Sequence, residues 1–136
     1  QLERARTQGA ADVVGQLLAS ARAVDGARVI ATEVEVASVN ELRTLGDRLR
    51  ERLENGAAVL AARFPEKSSL FAVVSDDLIS RGVRADALVR SVAQLTGGSG
   101  GGRPHMAQGG VGDPDKVGAA LDRVADLVSE LLGGKK

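Results

Sequence analysis

The stretch Gly97-Gly98-Ser99-Gly100-Gly101-Gly102-Arg103-Pro104-His105-Met106-Ala107-Gln108-Gly109-Gly110 concentrates the groups in this sequence that could do chemistry, and seven of its fourteen positions are glycine. Without Cβ atoms a backbone can enter left-handed conformations and bring its N–H groups up to an anion. Arg103 adds a planar guanidinium that can fork onto a phosphate, and His105 and Gln108 add side-chain donors close by. The expected chemistry is recognition of anionic oxygen. Gly100, Gly101, Gly102 and Arg103 are its first candidates, with His105 and Gln108 beside them. The plainer reading is a tight turn with close helix-to-strand packing, and the density of glycine next to an arginine tilts the balance towards the anion site.

Other literal matches have simpler explanations. Gly97-Gly98-Ser99-Gly100-Gly101 satisfies G-x-S-x-G, but a nucleophile elbow runs from strand to helix and this segment leaves a helix for a strand. Asp76-Asp77 follows a strand and opens a helical stretch, where acids complement free N–H groups and the helix dipole. Lys67-Ser68 lacks the glycines of a phosphate-binding P-loop. Met106 reads as core packing, and a lone His105 has no partner for catalysis.

Composition narrows the field further. The 136 residues suit one domain with one core. No cysteine and one histidine exclude disulfide staples, thiolate chemistry and Cys- or His-cluster metal sites, and fit a cytoplasmic protein. Two Phe with no Trp or Tyr exclude a stacking platform for single-stranded nucleic acid. The 18 basic and 18 acidic side chains cancel, yet residues 78–112 hold four basic against one acidic. Arg81, Arg84, Arg90 and Arg103 are those four, and Arg84 and Arg90 are carried as peripheral binding candidates. No apolar run reaches 18 residues, which argues against a membrane span, and the charged start does not resemble a signal peptide. A chain opening on Gln1 with its single methionine at position 106 reads as a piece cut from a longer polypeptide.

The elements that must position these groups follow from periodicity. Ala10, Val13, Val14, Leu17, Leu18, Ala21 and Val24 predict an amphipathic helix from Glu3 to Val24, punctuated by Asp25-Gly26. Arg28 to Ala37 reads as a strand with Ile30, Thr32, Val34 and Val36 on one face and a wet face bearing Glu33 and Glu35. Ser38 with Glu41 is a capping box ahead of a helix lined by Val39, Leu42, Leu45, Leu49 and Leu53. Ala57 to Ala62 and Leu70 to Ser75 are short apolar runs suited to central strands. A brief helical stretch from Asp76 to Arg81 and a stripe of Ala85, Leu88, Val89, Val92 and Leu95 precede the glycines, and Arg103 to Gly109 re-enters the sheet. Asp113 as N-cap and Pro114 at the first position launch a last helix through Val117, Leu121, Val124, Val128 and Leu131. The resulting class is α/β, a helix-covered mixed β-sheet domain over residues 26–136 with a glycine-rich loop at 97–110, preceded over residues 1–25 by an amphipathic helix whose stripe can serve a partner helix as an oligomerising element.

GGSGGGRPHMAQGG resembles the glycine-rich signature near the end of alanyl-tRNA synthetases, in the C-terminal domain whose fold is shared with the DHH-associated domain of phosphoesterases. The likeness runs from about Ala27 to the end of the chain, and the leading helix over residues 1–25 resembles the family's linker to the editing region. It departs where Ser99 interrupts the glycines, where His105 stands in place of a commoner Asp, and where Val111 follows a Gly pair. The resemblance implies a domain without its own catalytic centre that binds the outer elbow of tRNA, works with upstream domains of the same chain and can form a homodimer. It also implies that ATP and zinc belong to those upstream domains of an alanine–tRNA ligase, with no cofactor here. The alternative from the same fold is the substrate-binding domain of a DHH-type phosphoesterase gripping a phosphate-bearing ligand.

Overall fold

The computed structural model describes residues 14–24, 26–36, 38–53, 55–64 and 68–133. Helix α1 covers residues 14–19 and is followed by strands β1 (Arg22–Val24) and β2 (Ala27–Val34). Helix α2 (Val39–Arg52) then leads to β3 (Gly56–Arg63) and β4 (Ser68–Val74). Two helices, α3 (Asp76–Ser80) and α4 (Ala85–Leu95), precede β5 (Gly100–Gly102) and β6 (Met106–Gly110). A 3₁₀ turn over Pro114–Lys116 enters α5 (Val117–Asp122) and α6 (Val124–Gly133). The strands form one six-stranded sheet in the order β1-β2-β3-β4-β6-β5. Among the described residues only β2 and β3 run parallel, joined through α2, so the sheet is mixed and helix-covered, as the periodicity implied.

Helix α2 starts where the sequence placed it: the Glu41 N–H donates to the Ser38 Oγ at 3.3 Å, satisfying one of the free amides of the first turn. Its buried face, Leu42, Leu45, Gly46 and Leu49, packs with Val14 and Leu17 of α1 on Ile30, Leu60, Phe71 and Val73. The other sheet face meets α3 to α6 through a second core of Val29, Val59, Ala72, Leu88, Val89, Val92, Val124 and Val128. Strands β3 and β4 are buried apart from Arg63, as expected of central strands. Their run of alanines keeps both faces shallow enough for helices to lie close.

Several expectations need correction. The first helix does not continue to Val24: it ends at residue 19, and Arg22–Val24 pair with β2 in register Val24↔Ala27. An Asp-Gly pair between two short runs is a strong hairpin signal, and Gly26 has the positive φ of 86° such a turn requires. The part of that helix expected over residues 3–13 lies outside the described residues. The face bearing Glu33 and Glu35 is wet only toward the end of strand β2: both glutamates are exposed as expected, whereas Ala27 and Val29 are buried against the α3–α6 side and Ile30 is buried against α2. The last helix is broken at Arg123 into α5 and α6, both of which turn apolar residues to the same core. Asp113 does cap its start, its Oδ1 accepting from the Asp115 N–H at 3.0 Å. At Asp76-Asp77 the carboxylates occupy the first turn of α3, and Asp76 bonds Arg50 Nη2 at 2.6 Å. Arg50 also donates from Nε to the Val74 carbonyl at 3.0 Å, tying α2 to the end of β4.

Helix α2 lies closely on the sheet at Gly46. A Cβ placed there would overlap the ring of Phe71, a side chain 1% exposed. Alanine has the better helix propensity by about 1 kcal/mol, but overpacking a closed core costs about 1–3 kcal/mol. Gly46→Ala is therefore expected to lower stability, read as a reduced urea midpoint with an unchanged slope.

Candidate nucleic-acid interface

The glycine-rich segment is not a loop. It is a β-hairpin at the edge of the sheet, with β6 paired to β4 and β5 as the outermost strand. The two-residue connection Pro104-His105 is closed by Arg103 and Met106, whose backbones exchange hydrogen bonds at 2.8 and 3.3 Å. At the other end the Gly110 N–H donates to the Ser99 carbonyl at 2.8 Å. Alternation between these two bonded pairs leaves Gly101 facing Gln108 in the ladder. It turns the N–H and C=O groups of Gly100 and Gly102 to the open edge. The expectation of many outward amides in left-handed geometry is corrected: part of the amide set is consumed inside the hairpin, and two residues of the edge strand keep theirs outward.

Helix α4 fixes this hairpin from one side. The Ala85 N–H donates to the Pro104 carbonyl at 2.7 Å, so the start of the helix holds the turn. At its other end Thr96, 1% exposed, donates from Oγ1 to the Ala93 carbonyl at 2.7 Å and accepts from the Gly112 N–H at 3.2 Å. The Asp113 N–H donates to the Thr96 carbonyl at 2.7 Å. Glycine is required sterically at four positions along this seam. A Cβ on Gly98 would strike the Gly110 carbonyl, one on Gly100 would lie 2.8 Å from the Gly109 Cα and 3.2 Å from Val89, one on Gly102 would lie 2.7 Å from the Ala107 Cα, and one on Gly112 would lie 2.5 Å from the Gly97 carbonyl carbon.

The opposite face of the hairpin is open. There α2 covers Phe71 and stops short of β6 and β5, leaving a groove of about 360 Å³. Its lining includes Arg43, Gly101, Arg103, His105, Met106 and Gln108. Arg103 and Gln108 are exposed, His105 half-buried, and Met106 half-buried against the α2-side core, which agrees with its expected packing role. Gly102 also lines the groove, whereas Gly100 faces α4. Arg84 and Arg90 do not line it. Arg84 immediately precedes α4 and Arg90 stands on it, and both converge on Asp86, a side chain 12% exposed, at 3.1 and 3.9 Å. Arg81 donates to Asn55 Oδ1 at 3.4 Å. Arg43 was invisible to sequence reading, because one more arginine on the exposed side of an amphipathic helix carries no signal of what lies across from it.

Among the described residues the groove lining contains no carboxylate, and its charge is that of Arg43 and Arg103. Two other concavities differ: one is lined by both Arg22 and Asp122, the other by Arg50 together with Glu51, Asp76 and Asp77. Elsewhere the hydrogen bond and charge of Glu33 raise the Arg63 pKa above its ordinary value, so that pair is structural bonding between β2 and β3. Among the described residues no group of three or more His, Asp or Glu is placed to hold a metal ion, and no helix is long and apolar enough to cross a membrane.

A mixed sheet with α2 on one face, α3 to α6 on the other and a glycine hairpin at its edge defines the class: residues 26–130 match the model of the DHHA1 domain, and the chain belongs to that family. More particularly, it is similar to the C-Ala domain of the alanyl-tRNA synthetase of Aquifex aeolicus, with a TM-score of 0.72 and 30% identity over 81% of this chain and 98% of that one. It is 39% identical over 98% of its length to an alanine–tRNA ligase of Chloroflexus aurantiacus, and 44% identical over 96% to that of Anaeromyxobacter dehalogenans. The chain spans 15% and 14% of the length of these curated relatives. A DHH domain structure described as a member of the s1p family of ribosomal proteins, at 17% identity and a TM-score of 0.60, shares the fold.

Thr96→Val keeps the shape of the side chain and removes its hydroxyl, leaving the Gly112 N–H without its acceptor. Gly112 is exposed, so its N–H can turn to water, and the expected loss is that of an ordinary hydrogen bond, about 0.5–1.5 kcal/mol, measured by chemical denaturation.

Proposed function

We propose that this chain is the RNA-binding C-terminal part of an alanine–tRNA ligase, gripping the sugar–phosphate exterior of folded tRNA at its outer elbow through the hairpin groove. The observation that carries the reading is a groove whose charged side chains are all basic, laid against an edge strand with outward backbone groups. Such a surface suits the phosphates and 2′-hydroxyls of a structured RNA, which is recognised by shape and backbone more than by stacked bases. The likeness to alanine–tRNA ligases over nearly the whole chain supports tRNA as the RNA in question. Gly100, Gly101, Gly102 and Arg103 form the central contact, with Gln108 and His105 flanking it and Arg84 and Arg90 adding peripheral positive potential. In the parent enzyme the domain helps one tRNA serve the aminoacylation and editing sites of upstream domains in the cytoplasm. It also self-associates through its leading segment. ATP and zinc act in those upstream domains.

Titration of the chain with folded tRNA, an unstructured RNA of equal length and a short dinucleotide, each at two salt concentrations, tests this reading. Preference for the folded RNA is expected, and preference for the dinucleotide would transfer the assignment to the phosphoesterase relatives. Sedimentation at several protein concentrations tests self-association. Arg103 is exposed and makes no side-chain ion pair among the described residues. Arg103→Ala is therefore expected to weaken tRNA binding about tenfold, the loss of one charge-assisted hydrogen bond, while the thermal midpoint stays within about 1 °C because surface substitutions away from structural features are near neutral.

A further inference from the structure

Two glycines of the hairpin are not explained by packing. A Cβ on Gly101 would meet nothing nearer than the Arg90 Nη2 at 3.9 Å, and one on Gly110 would meet nothing within 4 Å. Neither has a positive φ. Glycine inside a strand weakens it and contributes no side chain to pack, so a bare position without steric need is a candidate for close approach of another group, and its surroundings decide the matter. Gly110 lies outside the groove lining. Gly101 is within it, in the same lining as Arg43 and Arg103.

Arg43 sits on the exposed side of α2, immediately after buried Leu42 and three residues before Gly46, whose contact with Phe71 fixes the helix against the sheet. It forms no ion pair among the described residues, although Asp47 stands one turn further along the same helix. Arg50, Arg63, Arg84, Arg90 and Arg123 all have carboxylate partners. The guanidinia left without one inside the groove are thus Arg43, carried by the helix, and Arg103, carried by the hairpin turn. They come from elements that packing holds rigidly, with a Cβ-free strand residue in the same concavity.

We infer that Arg43, Gly101 and Arg103 form one phosphodiester seat: the two guanidinia bind the anionic oxygens of an RNA backbone, and Gly101 clears the space that backbone enters. This deepens the reading of the groove as an RNA surface and rests on it. It adds Arg43 as a contact residue and separates Gly101, kept bare for the ligand, from Gly98, Gly100, Gly102 and Gly112, kept bare for the fold. Each guanidinium that neutralises a phosphate releases counterions, so its removal appears in the salt dependence as well as in affinity.

The test is a titration of the 136-residue chain with a folded tRNA at several salt concentrations, with thermal melts of every variant. Arg43→Ala is expected to lose about tenfold in affinity and to reduce the magnitude of the log–log salt slope by about 1. Arg48→Ala, on the same helix but outside the groove lining, controls for general surface charge and is expected to change both far less. Gly101→Val is expected to melt at or above the wild-type temperature, since a β-branched residue suits a strand, and to bind about tenfold more weakly through the lost approach. Gly110→Val serves as the steric control and is expected to bind as wild type. Wild-type affinity in Arg43→Ala, or equal losses in Arg43→Ala and Arg48→Ala, would overturn the seat. So would wild-type affinity in Gly101→Val, or equal losses in the two Gly→Val variants. If Arg103→Ala weakens binding in the same titration while Arg43→Ala does not, the RNA reading stands and the seat alone falls. If the wild-type chain shows no preference for folded over unstructured RNA, the RNA reading falls and the seat with it.

Discussion

The architecture of the site depends on how closely helix α4 lies against the β5–β6 hairpin. Val89 comes within 3.2 Å of where a Cβ of Gly100 would be and 3.5 Å of that of Gly109. The approach is possible only because side chains are absent on the strand side. The ends of α4 then lock it, Ala85 to the Pro104 carbonyl and Thr96 to Gly112 and Asp113. A three-residue glycine strand at a sheet edge would be a poor scaffold by itself, since glycine loses the most conformational entropy on ordering. Contact with the helix supplies the missing order, and the same contact commits the opposite face to solvent.

That opposite face is open because of where α2 is anchored. Gly46 allows the helix to settle directly on Phe71, and Arg50 draws its last turn to the end of β4 through Val74 and Asp76. With α2 centred over β3 and β4, its shielding ends before β6. The groove is therefore a consequence of two packing decisions made on opposite faces of the sheet. Arg43 borders it because it follows a buried leucine on the side of α2 nearest the hairpin.

Where a residue's side chain reports its environment, the sequence was readable. Leucines at helical spacing marked α2, the continuous apolar runs at 57–62 and 70–75 marked the central strands, and Ser38 with Glu41 marked a helix start. Legibility failed where side chains were silent or ambiguous. Gly100–Gly102 have no side chains to alternate, so a strand looked like a loop. Ala21 and Val24 fitted a helical stripe as well as a strand, which hid β1 behind a spacing coincidence although Asp25-Gly26 signalled a hairpin. The binding candidates on the hairpin could be nominated because glycine density and an adjacent arginine are a local pattern. Arg43 is distant in sequence and near in space, and no local pattern could report it.

The glycines also show why counting them misleads. Half of the signature is glycine, and much of it is accounted for by backbone atoms that would otherwise collide. Those positions say that a helix and a hairpin must touch, and any fold with such a seam would need them. A glycine that packing already requires says nothing of recognition. Gly101 differs, because the structure leaves room there for a side chain that the sequence does not supply, in a concavity whose guanidinia have no carboxylate partner among the described residues. Unused space and uncompensated charge coincide there, and a polyanion whose backbone enters that space would satisfy both.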